Sequence, residues 1–214
     1  SRRQRQMCIR DRSYASIKEM DAYLKLKRYE EAYAVGKELL NEKKAQLLCH
    51  MCIAAMMPEV CLKLKKYQEI LSYIELFRKY LDEWEKNLDK YSSKDAFSVH
   101  KEYLNDSKIG KINMIELHIR VKNQEWGEAE ECFLKIGWLD TAELLSNTFE
   151  DIIRLVSHTD YRKEYAITLE ILLKGEGSRQ YLCNMIDGLQ GEEKEKILYC
   201  IAPVSYTHLT LPTT

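Results

Sequence analysis

One nine-residue string recurs along this chain, and it dictates helices joined by very short turns. Leu24–Ala32 reads LKLKRYEEA, and Leu62–Ile70 reads LKLKKYQEI, 38 residues later. A third copy, VKNQEWGEA, spans Val121–Ala129 and puts Trp126 where the others have Tyr29 and Tyr67. Each copy is an apolar helix end, a basic or polar turn, an aromatic, an acidic turn, and a small or apolar residue. In the first copy Lys25, Lys27 and Arg28 fall where the partial negative charge of a helix C-terminus favours cations. Glu30 and Glu31 fall where the next helix N-terminus favours anions. The unit is therefore an αα-hairpin. Tyr29, Tyr67 and Trp126 are expected to pack into the turn, and Ala32 and Ala129 to let the paired helices approach closely. Hairpins that cannot bury their apolar faces alone must stack. The expected fold is all-α, a solenoid of stacked antiparallel hairpins. It is irregular, because the third copy follows the second by 59 residues rather than 38.

The rest of the chain agrees with helix. Between residues 13 and 202 there is a single proline, Pro58, with few glycines and abundant Leu, Glu, Lys and Ala. Sustained strand-type alternation is absent. Apolar periodicity predicts helices near 14–27, 29–41, 44–65, 67–88, 95–104, 111–123, 126–136, 141–157, 161–174, 178–188 and 192–201. Pro58 should kink or break the third. Asp140 is the expected N-cap of the helix that follows it, and Ser178 and Gly191 mark later turns. Asp89–Lys94, DKYSSK, is the expected break between two sub-arrays, 13–90 and 91–202.

The two ends of the chain encode each other. One codon choice for RRQRQMCIRD (Arg2–Asp11), read as its reverse complement, translates to VSYTHLTLPT, which is Val204–Thr213. The string resembles a transposase-end sequencing adapter, so residues 1–12 and 203–214 are expected to be foreign and to pack poorly. The native part is then an internal fragment, 13–202. Five of the 33 basic residues and one of the 34 acidic residues lie in the first twelve, which leaves the native part with a net charge of −5. The arginine-rich start therefore says nothing about nucleic acid, and the mildly acidic remainder offers no footprint for a phosphate backbone. No apolar run approaches the roughly 20 residues of a membrane span.

The hairpin string resembles tetratricopeptide repeats, whose helix pairs carry a Leu–x–x–aromatic turn and small residues at fixed places. Ala22–Leu40 and Leu117–Ile136 carry the likeness, with a looser copy over Pro58–Leu81. The early Trp–x–x–Leu–Gly of that family is missing from every copy, as is its closing proline. The resemblance implies a concave surface built from first helices, able to take a peptide or helix. Here that surface would draw on Tyr14, Lys18, Asp21, Lys25 and Gln46. A second resemblance rests on FRKYLDEWEKNLDKYSSKDAFSVHKEYL and a helix pair ending in IGWLD. These look like helical regions appended to bacterial family 2 glycosyltransferases. Those enzymes bind metal through Asp-x-Asp, which residues 13–202 lack, so no catalytic residue carries over.

Other candidates have plainer readings. Cys49-His50-Met51-Cys52, with Cys61 beyond, offers no second pair to complete a zinc site, and cysteine as a small core residue accounts for it. Cys132, Cys183 and Cys200 also lie on apolar faces, without the spacing of a disulfide framework, which fits a reducing, cytoplasmic compartment. His50, His100, His118 and His158 are in no nucleophile motif. The acidic runs at Glu30, Asp82, Glu128 and Glu192 read as solvated faces. Tyr67, Tyr73, Phe77 and Tyr80, followed by Trp84, form an aromatic stripe at helical spacing. Tyr80 and Trp84 are candidates to face a partner. The expected function is protein–protein interaction, with a protein, a peptide or another domain as partner. No catalysis, cofactor, metal, nucleic acid or membrane is implied. The alternatives are a non-catalytic region of a glycosyltransferase and the repeat region of a bacterial regulator.

Overall fold

The computed structural model describes the backbone of residues 2–43, 45–90, 106–136 and 147–208, with side chains for 14–43, 45–89, 108–136, 147–175 and 178–202. Among the described residues every regular element is a helix. They are α1 (Arg2–Lys25), α2 (Tyr29–Asn41), α3 (Leu47–Lys63), α4 (Tyr67–Glu85), a 3-10 turn (Leu88–Lys90), α5 (Asp106–Lys122), α6 (Trp126–Ile136), α7 (Thr148–His158), α8 (Lys163–Lys174), α9 (Glu176–Gly188) and α10 (Gly191–His208). The helix expected at 95–104, the Asp140 cap, most of the 89–94 break and much of the glycosyltransferase-like stretch lie outside the described residues. So do the side chains of residues 1–12 and 203–214, on which the expectation of poor packing falls. The contacts divide the chain into two compact units between Ile119 and Arg120, within the last turn of α5.

The three copies of the repeated string form equivalent turns. Lys27, Lys65 and Gln124, the fourth residue of each copy, all have left-handed backbone, with φ of 58°, 58° and 62°. At each turn two amides close on the helix just ended. Lys27 N–H donates to Leu24 O (3.0 Å) and Arg28 N–H to Tyr23 O (2.8 Å). Lys65 donates to Leu62 O (3.2 Å) and Lys66 to Cys61 O (2.8 Å). Gln124 donates to Val121 O (3.0 Å) and Glu125 to Arg120 O (2.9 Å). This is the Schellman pattern, which satisfies carbonyls that a helix end would otherwise orphan. The aromatic then opens the next helix, and the ninth residue of each copy, Ala32, Ile70 or Ala129, is completely buried.

In the N-terminal unit α1 packs on α2, α2 on α3 and α3 on α4, with α1 also meeting α3. Helix α3 is buried almost all round, through Met51, Cys52, Ile53, Ala54, Met57, Val60 and Cys61. A helix that is apolar on every face belongs in the interior. It runs unbroken through Pro58, where a kink or break is expected from the sequence. The helix starts at Leu47 rather than 44. Helix α2 meets its neighbours closely at Gly36, where a Cβ would overlap Met57 Sδ and press on Met20.

In the C-terminal unit α6 packs on α7, and α8 packs on both α9 and α10. Helix α10 also returns to α7, so these last four helices close into a bundle rather than a simple file. Tyr165, Leu155, Leu169, Leu182 and Ile197 fill its centre. Ser178, expected at a turn, lies in the first turn of α9, where its Oγ donates to Gly175 O at 3.1 Å. Gly191 opens α10 with a φ of 58°, a left-handed conformation that glycine adopts without strain.

Candidate functional site

On α1 the residues Asp21 and Lys25 are one turn apart, and their side chains pair at 2.7 Å. They form one edge of a groove whose other walls come from α3 and α5. Its volume is about 290 Å³. Leu24, Ala55, Met56, Ile112 and Ile115 supply the apolar lining. A second ion pair, Lys111–Glu59 at 2.6 Å, and Lys108 supply the remaining charge. All three helices are the first members of their hairpins. The groove therefore lies along the row of first helices, with apolar surface between charged edges.

Of the residues singled out in the sequence, Asp21 and Lys25 line this groove. Tyr14 and Lys18 lie further along α1, with Lys18 Nζ 5.5 Å from the Tyr14 ring centre, and do not line it. Gln46 is exposed just before α3. Tyr80 is half-buried and stacks on His50, with ring centres 5.6 Å apart. Trp84, expected as a partner-facing aromatic, is instead buried at 4% exposure, as are Tyr73 and Phe77 on the same helix. Helical spacing identifies a stripe but not what covers it. The turn aromatics are half-buried, and two of them reach beyond their own turns. Tyr67 meets His118 of α5 edge-on, and Trp126 stacks on His158 of α7 with ring centres 4.3 Å apart.

The sequence reading misses the α3 and α5 contributions. Ala55, Met56, Ile112 and Ile115 are indistinguishable by type from the core residues beside them. The available signal is charge, since Glu59 is the one acid in α3 and Lys108 and Lys111 open α5. A charge on an otherwise apolar helix marks the strip that faces water.

The Cys-His-Met-Cys segment lies in the first half of α3, with Cys49, Met51 and Cys52 in the core. Cys49, Cys52 and Cys61 are buried thiols. His50 turns away from them, with Nε2 3.1 Å from both Leu39 O and Glu42 O at the end of α2. Among the described residues no group of three or more His, Cys, Asp or Glu side chains is placed to hold a metal ion. Burial pushes the Cys49 and Cys200 thiols up, and the Cys61 thiol to about 12. All three are neutral thiols at physiological pH.

Three polar clusters tie helices together. Arg78 of α4 grips the buried carboxylate of Glu116 on α5 through both terminal nitrogens. Tyr33 of α2 donates to Glu69 of α4 at 2.7 Å, and Tyr73 donates to the same carboxylate at 3.3 Å. Burial, reinforced by Glu69, pushes the Tyr33 phenol up to about 12. In the C-terminal unit Tyr165 of α8 donates to Glu130 of α6 at 2.6 Å, and Arg162 binds the same carboxylate at 2.6 Å. The hydrogen bond from Arg162 holds the Glu130 carboxyl below the usual carboxylate range. In the last cluster the Glu130 carboxyl stays ionised, and the Tyr33, Tyr73 and Tyr165 phenols stay neutral.

No helix among the described residues is long and apolar enough to cross a membrane. Compared with protein-family models, curated proteins and solved structures, the sequence finds no match.

Proposed function

We propose that this chain is a protein-interaction module of tetratricopeptide-like hairpins. Its groove between α1, α3 and α5 receives an apolar side chain of a peptide or helix. The observation that carries this reading is the groove itself, an apolar trough about 290 Å³ in volume along the first helices of successive hairpins. Its charged edges would give register, while the apolar lining supplies most of the affinity, as in helix-in-groove recognition. The chemistry elsewhere favours binding over catalysis. The thiols are held neutral, and the buried phenols and the Glu130 carboxyl are shifted away from neutrality, the opposite of an acid–base pair poised to exchange protons.

Ala55 gives the direct test, because it is the smallest side chain in the lining. Peptides selected from a random library on the wild-type chain should lose at least tenfold in affinity for the A55W variant while the melting temperature stays put. Ten-fold corresponds to about 1.4 kcal/mol, within the range of one buried apolar anchor. Peptides that bind both chains equally, or a selection that yields none, would remove the groove from consideration.

A further inference from the structure

The C-terminal unit has a hollow of its own, about 350 Å³, between the α7–α8 linker and α10. Two tyrosines form its walls. Tyr161 of the linker and Tyr199 of α10 stand nearly at right angles, 81° apart, with ring centres at 5.4 Å. Both are open to water, at 49% and 66% exposure. Carboxylates surround them. Asp160, Glu192 and Glu195 line the hollow against a single cation, Lys196, which pairs with Glu192 at 3.4 Å. Asp160 and Glu195 have no side-chain partner among the described residues.

The combination selects a particular chemistry. An aromatic face carries the negative lobe of the ring quadrupole, so two exposed rings favour a cation, and the unpaired carboxylates favour it further. A small hydrated metal ion does not suit such walls, since ring carbons cannot replace its water ligands. The carboxylates also do not converge into a metal-binding group. A cation whose surface is itself apolar suits both features, because it can lie against the rings and keep its charge beside the acids.

We propose that this hollow binds a quaternary ammonium group, with Tyr161 and Tyr199 as aromatic walls and Asp160 and Glu195 as counter-charges. This site is independent of the groove in the N-terminal unit and does not rest on it.

Choline is the probe, and 3,3-dimethylbutan-1-ol, its uncharged isostere, is the control. Titration of the full chain, followed by NMR of the tyrosine ring resonances, should show saturable shifts at Tyr161 and Tyr199 with choline and several-fold weaker binding of the isostere. Replacing Tyr199→Ala should weaken choline by roughly two- to fivefold, the cation–π contribution of one exposed ring. Tyr199→Phe should retain it, because the ring rather than the hydroxyl is in use. Glu195→Gln should weaken choline and leave the isostere unchanged. Tyr199 is largely exposed, so its variants should fold normally, and helical circular dichroism checks this. Equal affinity for choline and its isostere would reduce the hollow to an apolar dent. Choline shifts that fail to saturate, or that survive Tyr199→Ala unchanged, would overturn the assignment.

Discussion

Lys27, Lys65 and Gln124 hold left-handed backbone although none is glycine. For an L-residue this conformation costs roughly 1–2 kcal/mol, and glycine avoids that cost while losing about 0.5–1 kcal/mol in chain entropy. Each of K27G, K65G and Q124G should therefore raise the denaturant midpoint, by about 0.5–1 kcal/mol of stability. Valine at Lys65 should lower it, because β-branching is poorly tolerated there. Equilibrium urea unfolding checks both signs. Arg78 is a second residue with a sharp consequence. Its loss leaves the Glu116 carboxylate, 3% exposed, without the guanidinium that compensates it. Breaking a fully buried pair costs about 3–5 kcal/mol, and the partial exposure of Arg78 places R78A nearer about 2–3 kcal/mol. Lysine should recover only part of this, because it cannot reproduce the two-pronged contact. An R78A chain as stable as wild type would show that the pair does little to hold α4 on α5.

Between elements, one device recurs in the two units. A tyrosine on one helix donates a hydrogen bond to a glutamate about 35 residues away on another, forward along the chain as Tyr33–Glu69 and backward as Tyr165–Glu130. The Glu130 carboxyl titrates below its ordinary value of 4.5 because Arg162 and Tyr165 stabilise the charged form. A carboxyl depressed in the folded state contributes stability above its unfolded pKa and loses it as pH falls through the folded value. Wild type should thus lose more stability than E130Q between pH 5 and pH 3, with urea midpoints at several pH values as the measurement. Parallel losses in the two chains would sink the idea. At this scale much was legible beforehand. The positions of the three turns followed from the repeated string, because an aromatic and a small residue at fixed offsets reflect how the hairpin closes. The Tyr–Glu links were not legible, since a partner about 35 residues away leaves no local pattern. Helix starts also slipped. Leu47 follows a stretch whose composition is as helix-compatible as the helix itself, and only the placement of Gln46 sets the true start.

Across the whole molecule, the six described cysteines offer a readout of cooperativity. Cys49, Cys52, Cys61, Cys132 and Cys200 are buried and Cys183 is half-buried. Thiol alkylation mapped by mass spectrometry should label Cys183 first among these six, and the other five only as their unit opens. Prompt labelling of Cys61 under native conditions would contradict its burial and its raised pKa. The groove shows the limit of reading at this scale. Asp21 and Lys25 could be chosen from one amphipathic helix. Ala55 and Met56 come from a helix apolar on nearly every side, and Ile112 and Ile115 from one whose polar residues are scattered among the apolar ones, so in neither does periodicity carry a direction. Only packing decides which strip of such a helix borders an opening, and Trp84 shows the converse, an apparent outward residue that packing covers.

The three turns share one backbone path while their variable residues differ, from Lys-Arg and Lys-Lys to Gln-Glu at the bend. What passes from one joint to the next is the sign of a dihedral angle, not a residue identity. A repeat jointed in this way can drift through many side-chain vocabularies while every bend stays in place. Kinship among its copies is then better traced by torsion than by alphabet.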